Sequence, residues 1–122
     1  MNVARRVSAG VQTAPMRQDE IEEIFAALGP VSVRRMFGGQ GVYHQSLMVG
    51  VEFSGELLLK TDDITAPAFE AAGSRRWTYQ RKTGKPVPMS YWTIPADAWD
   101  DPDLMADWVR LAFAAALRAR EK

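Results

Sequence analysis

The densest set of side chains with recognisable chemistry lies between residues 74 and 85, a segment that holds five cations and no acid. Two aromatic residues, Trp77 and Tyr79, are interleaved with these cations, which are Arg75, Arg76, Arg81, Lys82 and Lys85. Cations neutralise phosphates and aromatic rings stack on bases, so this pattern is typical of a nucleic-acid surface. It also fits an exposed hairpin whose charges prevent edge pairing while its aromatic residues turn inward. Both interpretations stay open, and the segment is the first candidate surface for a partner or a nucleic acid.

A second candidate is the glycine-rich run at residues 38–41, because backbone N–H groups in such a turn can cradle a phosphate. A phosphate loop, however, opens a helix and carries a Lys-Ser or Lys-Thr pair, whereas the strand-like Val42-Tyr43 follows here. We therefore interpret the run as a structural turn or bulge between two strands. Glycine supplies positive φ or room for close backbone approach, so we predict a positive φ at one or more of Gly38, Gly39 and Gly41.

Other residue types that often catalyse reactions form no recognisable constellation. His44 is the single histidine and the chain has no cysteine, which excludes disulfides, thiol catalysis and metal sites built from His and Cys. The acid pairs Asp62-Asp63 and Asp100-Asp101 are sequence neighbours, so their carboxylates do not face each other as acid–base catalysis requires. Helix capping explains both pairs more simply. We predict no catalytic residue, no metal and no cofactor, and hence a protein that is not an enzyme.

The length and net charge of the chain restrict the classes of protein to which it can belong. The chain has 122 residues, of which 47% are hydrophobic, enough for one domain with a real core. Fifteen basic and 15 acidic residues give a net charge of zero, which argues against a surface that binds nucleic acid or a membrane over its whole extent. No secretion signal and no membrane-spanning run are recognisable, so we expect a cytoplasmic protein without membrane contact. We expect residues 1–16 to be a flexible arm and residues 17–122 to be a single domain.

Hydrophobic periodicity predicts the elements that position these residues. A stripe at helical spacing ends at Gly29-Pro30 and predicts a first helix; it comprises Ile21, Ile24, Phe25 and Leu28. Alternating patterns predict strands at residues 31–37, 41–44, 47–53 and 56–60, then at 76–81 and 87–94. A short helix over residues 65–72 separates the two groups of strands, and Asp101 with Pro102 begins a long terminal helix.

The predicted fold class is therefore α+β, in the order α-β-β-β-β-α-β-β-α. A four-strand meander and a hairpin form an antiparallel sheet, and the helices pack on one face of it. The terminal helix carries a broad apolar stripe, which suits a helix that covers a sheet. We expect the core where the two long helices meet the sheet to contain Phe25, Leu28, Trp108 and Leu111.

An ordered series of short motifs runs through most of the chain. It begins with Arg34-Arg35-Met36-Phe37-Gly38-Gly39 and Gly41-Val42-Tyr43. It continues with Gly55-Glu56-Leu57, Leu59-Lys60, Asp62-Asp63, residues 69–74, Met89-Ser90-Tyr91-Trp92 and the Asp-Pro start of the last helix. This series resembles the N-terminal domain of TfoX-type competence regulators over roughly residues 17–120. The resemblance implies a secretion-chaperone-like α+β fold in which the first motif is structural, and a role in transcriptional regulation through contacts with other regulators.

From these observations we expect a non-enzymatic interaction domain that acts in transcriptional regulation through protein partners. Full-length regulators of this type carry a second, helical domain that has no counterpart in these 122 residues, so we expect a stand-alone domain. The alternative is a weak nucleic-acid-binding module that uses the basic hairpin at residues 75–85.

Overall fold

The structure is a computed structural model of the chain, and it describes residues 14–36 and 38–121. The helices are α1 (Gln18–Ile24), α2 (Ala66–Ala71) and α3 (Pro102–Arg120), with a 3-10 helix at Ala96–Asp100. The strands are β1 (Ser32–Met36), β2 (Gly39–His44), β3 (Leu47–Phe53), β4 (Glu56–Lys60), β5 (Arg76–Tyr79) and β6 (Val87–Thr93). The proposed arm at residues 1–16 lies outside the described residues except for its last three, of which Met16 is buried.

The six strands form one antiparallel sheet in the order β1-β2-β3-β4-β6-β5. Consecutive strands of the meander are joined by tight turns. Gln45-Ser46 and Ser54-Gly55 all adopt positive φ, the conformation that matches a two-residue turn to the twist of a hairpin. After α2 the chain returns as the β5–β6 hairpin, and β6 pairs with β4. The predicted α+β class and element order are confirmed, and β1 and β5 are the edges of the sheet.

The main core lies between the helices and one face of the sheet. From the helical side it receives Ile21 of α1, Phe69 of α2 and a row of α3 residues: Met105, Val109, Ala112 and Ala116. The sheet contributes Val42, Val49, Leu57, Leu59 and Trp92. Among the residues predicted for the core, Phe25 is fully buried, whereas Leu28, Trp108 and Leu111 are only partly buried at its margin. The alanines of α3 occupy the centre of its contact with the sheet, so the larger Trp108 packs at the side, 4.6 Å from the ring of Phe69.

The boundaries of several predicted elements differ from those observed, most clearly those of α1 and β2. The regular part of α1 ends at Ile24, because the next residues form tighter turns in which Leu28 donates to Phe25 and Gly29 to Ala26. Strand β2 begins at Gly39, so Gly39 and Gly41 belong to the strand and not to the turn. Gly38 alone of the three glycines has a positive φ, of 70°, which confirms the predicted backbone requirement at that position. Phe37 lies outside the described residues.

Of the two acid pairs, one caps a helix as predicted, whereas Asp62 holds the turn that precedes α2 and the N-cap residue of α2 is Thr65. The Asp101 side chain accepts hydrogen bonds from the backbone N–H groups of Asp103 and Leu104 and caps α3. The Asp62 carboxylate accepts from the backbone N–H groups of Ile64 and Thr65 just before α2. It also binds the Arg118 guanidinium through two hydrogen bonds of 2.6 and 3.1 Å, which ties the end of α3 to the start of α2. None of the described helices is long and apolar enough to cross a membrane.

Candidate functional site

The helices leave the second face of the sheet open. Side chains alternate between faces along a strand, so the neighbours of core residues point away from the helices. Val33, Val42 and Leu59 pack in the core, for example, and their neighbours Arg34, Tyr43 and Lys60 therefore lie on the opposite side. We call this side the open face; its larger side chains include Arg34, Met36, Tyr43, Phe53, Lys60, Trp77, Tyr79 and Tyr91.

An aromatic layer covers the middle of the open face. The rings of Phe53 and Trp77 lie 5.0 Å apart, and Trp77 meets Tyr91 edge-on at 6.2 Å. Val51 and Leu58 are paired across β3 and β4, and only 1% and 5% of their surfaces are exposed to solvent. Because the helices pack on the other face, we attribute this burial to the aromatic side chains. The layer is itself only partly buried, so apolar ring surface remains accessible on this side of the sheet.

Two cations lie over aromatic rings of the open face. The guanidinium carbon of Arg34 is 4.8 Å from the centre of the Tyr43 ring, and Lys60 Nζ is 5.3 Å from that of Tyr91. Both distances are within the range of attractive cation–π contacts. Burial, with a smaller contribution from nearby Tyr43, raises the pKa of Tyr91 to about 12. The phenol of Tyr91 is therefore protonated at neutral pH and can donate a hydrogen bond.

Two glycines of the first motif make room for side chains of the open face. A Cβ atom at Gly39 would overlap the Glu52 carbonyl oxygen and the ring of Phe53. A Cβ atom at Gly41 would lie 3.1 Å from Met36 Sδ and 3.1 Å from Tyr43 Cε1. Side chains from neighbouring positions thus lean over the bare backbone of β2. The glycines act through close approach at these two positions, the second of the two roles that the sequence left open.

Glu52, which the sequence analysis did not single out, holds the same end of the sheet together. Its side chain is fully buried. One oxygen accepts from the backbone N–H groups of Met16 and Gly55, and the other accepts from Gln40 Nε2 at 2.8 Å. A cavity of about 510 Å³ adjoins this network and is lined by Pro15, Arg35, Met36, Gly38, Gly39, Gln40, Glu52 and Ser54. With both oxygens engaged by backbone and amide donors, the carboxylate has a structural role.

The structure separates the seven residues of the basic hairpin, 75–85, into two groups. In the first group, Arg75 pairs with Glu56 at 2.6 Å, Arg76 Nε donates to the Met89 carbonyl oxygen at 2.7 Å, and Trp77 belongs to the aromatic layer. The second group is exposed and comprises Tyr79, Arg81, Lys82 and Lys85. Strand β5 ends at Tyr79 rather than at residue 81 as predicted, so the last three cations lie in the loop between β5 and β6. No ion pair to them occurs within the described part of the chain.

His44 is a buried structural residue. Its Nδ1 lies 2.7 Å from the Pro30 carbonyl oxygen, and its ring meets Phe113 edge-on at 4.9 Å. Residues 14–36 and 38–121 contain no group of three or more His, Cys, Asp or Glu side chains that could hold a metal ion. On the open face, the aromatic rings and the cations are the groups that a binding partner could contact.

The open face joins two regions that are far apart in the sequence. The first motif contributes Arg34 and Met36 from β1 and Tyr43 from β2, whereas Trp77 comes from the basic hairpin. Phe53 connects them, because it leans over Gly39 and touches Trp77. Arg35 is exposed beside the cavity and does not belong to this face. Sequence reasoning missed Phe53, Lys60 and Tyr91, although strand alternation signals that Lys60 and Tyr91 turn away from the core.

Comparison with known proteins bears on the family of the chain. A search of curated proteins finds no match to the chain. A family model described as the TfoX N-terminal domain matches residues 23–116. The match spans both the first motif and the basic hairpin and extends from the end of α1 into α3. This chain belongs to the TfoX N-terminal domain family.

Proposed function

We propose that the protein is a non-enzymatic interaction domain that acts in transcriptional regulation by binding a protein partner. The family is associated with competence regulation. The observation that carries the proposal is the aromatic layer on the side of the sheet that the helices leave open. Partly accessible Trp and Tyr side chains beside Arg are the residue types that dominate protein–protein binding energies.

The geometry of the open face supports protein binding over base stacking. Arg34 and Lys60 each cover one surface of Tyr43 and Tyr91, so a base could stack on that surface only by displacing the cation. Trp77 is wedged between Phe53 and Tyr91. A protein partner needs no free ring surface, because it can pack against ring edges and pair with the cations.

A tagged full-length chain used as bait in an extract of its own cells, with and without nuclease, tests the proposal. We expect protein partners that survive nuclease treatment and that are weakened by Trp77→Ala, with folding verified by circular dichroism. Ile64→Ala is the matched control, because Ile64 is an exposed apolar residue in the turn before α2, outside the open face. Partners lost with nuclease would contradict the proposal, as would partners that bind the Trp77 variant unchanged.

A nucleic-acid-binding module is the second candidate, and one observation favours it. Tyr79 is 55% exposed and adjoins the loop that carries Arg81, Lys82 and Lys85. Binding through this loop would weaken steeply with salt, because each neutralised phosphate releases counterions.

The two candidates differ in a fluorescence-anisotropy titration at low ionic strength with single- and double-stranded probes. Binding that falls with salt and is abolished by Arg81→Glu with Lys82→Glu would support the nucleic-acid module. A flat titration with both kinds of probe is the result we expect for a domain that works through protein partners.

A further inference from the structure

We infer that the open face recognises an acidic segment of the partner protein, with carboxylates next to an apolar side chain. This inference rests on the proposed function and names the chemistry of the partner. It follows from three features of the open face, namely its charge, the positions of its cations and the apolar surface between them.

The charge of the open face is one-sided. Among the described residues, strand alternation places a single carboxylate on the open face, that of Glu56. Arg75 forms an ion pair with this carboxylate at 2.6 Å. Arg34 and Lys60 make cation–π contacts with the face, and the described residues provide neither of them with an ion-pair partner. The open face therefore presents two cations that a carboxylate can reach without breaking an existing ion pair.

The two cations flank apolar surface. Arg34 lies on β1 and Lys60 on β4, so β2 and β3 separate them. Tyr43 of β2 and Phe53 of β3 stand on these intervening strands. A matching segment would place an apolar side chain against the rings and carboxylates near the cations on either side. Each cation is held above a ring, so it loses less conformational freedom on binding than an unsupported side chain would.

A second copy of the chain is a weaker match to the same chemistry. Residues 97–107, around the 3-10 helix and the start of α3, hold five acids and no base, and Leu104 is exposed among them. Such a contact would join different surfaces of two copies, and contacts of that kind propagate into filaments unless they close into a ring. We therefore assign the open face to a different protein.

Peptide selection on the full chain tests the inference. Random short peptides displayed on phage are panned against the immobilised protein, and the recovered peptides are synthesised with a fluorophore. We expect enrichment of Asp and Glu next to Leu, Phe or Trp. Binding should weaken about two- to fivefold for Arg34→Ala and for Lys60→Ala, and about tenfold for the double variant.

Three controls separate a binding role from a folding role. Arg110→Ala removes an exposed cation of α3 and should leave peptide affinity unchanged. Arg34→Lys with Lys60→Arg keeps both charges and should retain most of the affinity. Thermal melts of all variants should stay close to that of the wild type, since a cation–π contact at the protein surface contributes only modestly to stability.

Several results would overturn the inference. They are a failure to select any peptide, selected peptides without acidic enrichment, and acidic peptides whose binding ignores the double variant. Competition by oligo(dT) would assign the open face to nucleic acid, and dimers or filaments in sedimentation that the double variant abolishes would assign it to self-association. If the pull-down recovers a partner that the double variant still binds, the proposed function survives and this inference fails.

Discussion

Replacing Gly39 with alanine tests whether close packing against β2 positions the aromatic layer. An alanine in a strand normally gains about 0.5–1 kcal/mol over glycine, because the unfolded chain loses less freedom on folding. At Gly39 the added Cβ would overlap the Glu52 carbonyl oxygen, which cannot move without disturbing β3, and the Phe53 ring, whose Cε1 would be 2.7 Å away. Forcing extra volume into packed structure costs typically about 1–3 kcal/mol. We expect Gly39→Ala to destabilise the protein by roughly 1–2 kcal/mol net, opposite in sign to the strand propensity.

Chemical denaturation and NMR spectroscopy together provide the assay. Denaturation gives the free energy of unfolding, and the indole N–H signal of Trp77 reports on the Phe53 contact. We expect that signal to shift in Gly39→Ala, because Phe53 must move away from Gly39 and so from Trp77. Gly38→Ala is the matched control. Gly38 has a φ of 70° and open space around it, so alanine there costs about 1–2 kcal/mol by backbone strain and leaves the Trp77 signal in place.

Two results would refute this reasoning. A neutral or stabilising Gly39→Ala would show that the gap between β2 and Phe53 accommodates a methyl group. A Trp77 signal that stays unchanged in a destabilised Gly39 variant would show that Gly39 supports the sheet without positioning the aromatic layer.

Three further predictions concern the scaffold. The Arg118 guanidinium and two backbone N–H groups lower the pKa of Asp62 from 3.8 to about 2. The Asp62–Arg118 ion pair therefore stabilises the fold at pH values above the pKa of Asp62 in the unfolded chain, and this contribution is lost as the pH falls toward 2. Partial exposure of Arg118 reduces this contribution to about 1–2 kcal/mol. Asp62→Asn should lower the free energy of unfolding in urea by that amount at pH 7 and by little near pH 2. A loss that is independent of pH would contradict the ion-pair explanation. Phe25→Ala should lower the free energy of unfolding by about 3–5 kcal/mol in denaturant melts. Trp108→Ala should lower it clearly less, because Trp108 is only partly buried. Equal losses would show that the two sites are packed alike. Glu52→Ala should cost about 2–4 kcal/mol, because three donors lose their buried acceptor, and unfolding curves that superimpose on the wild type would show that water replaces the carboxylate.

Local features of the sequence determined the elements and several of their ends. Periodicity predicts the helices and strands because the side chains that face a core recur at 3.6 or 2 residues whatever the distant partner is. Asp101 caps α3 and Gly38 adopts positive φ, since both depend on backbone geometry within a few residues. The ordered motifs pointed to the family for a similar reason, because a resemblance of this kind depends only on residue types and their spacing along the chain.

Only the tertiary structure decided what the open face contains. Strand β6 pairs with β4, and this places Lys60 beside Tyr91. Trp77 comes from an edge hairpin, but its ring reaches Phe53 on β3. These contacts depend on strand order and on long side chains that cross several strands, neither of which is encoded in a local period. The sequence therefore identified the basic hairpin and the glycine run separately, whereas the folded sheet brings part of each onto one surface.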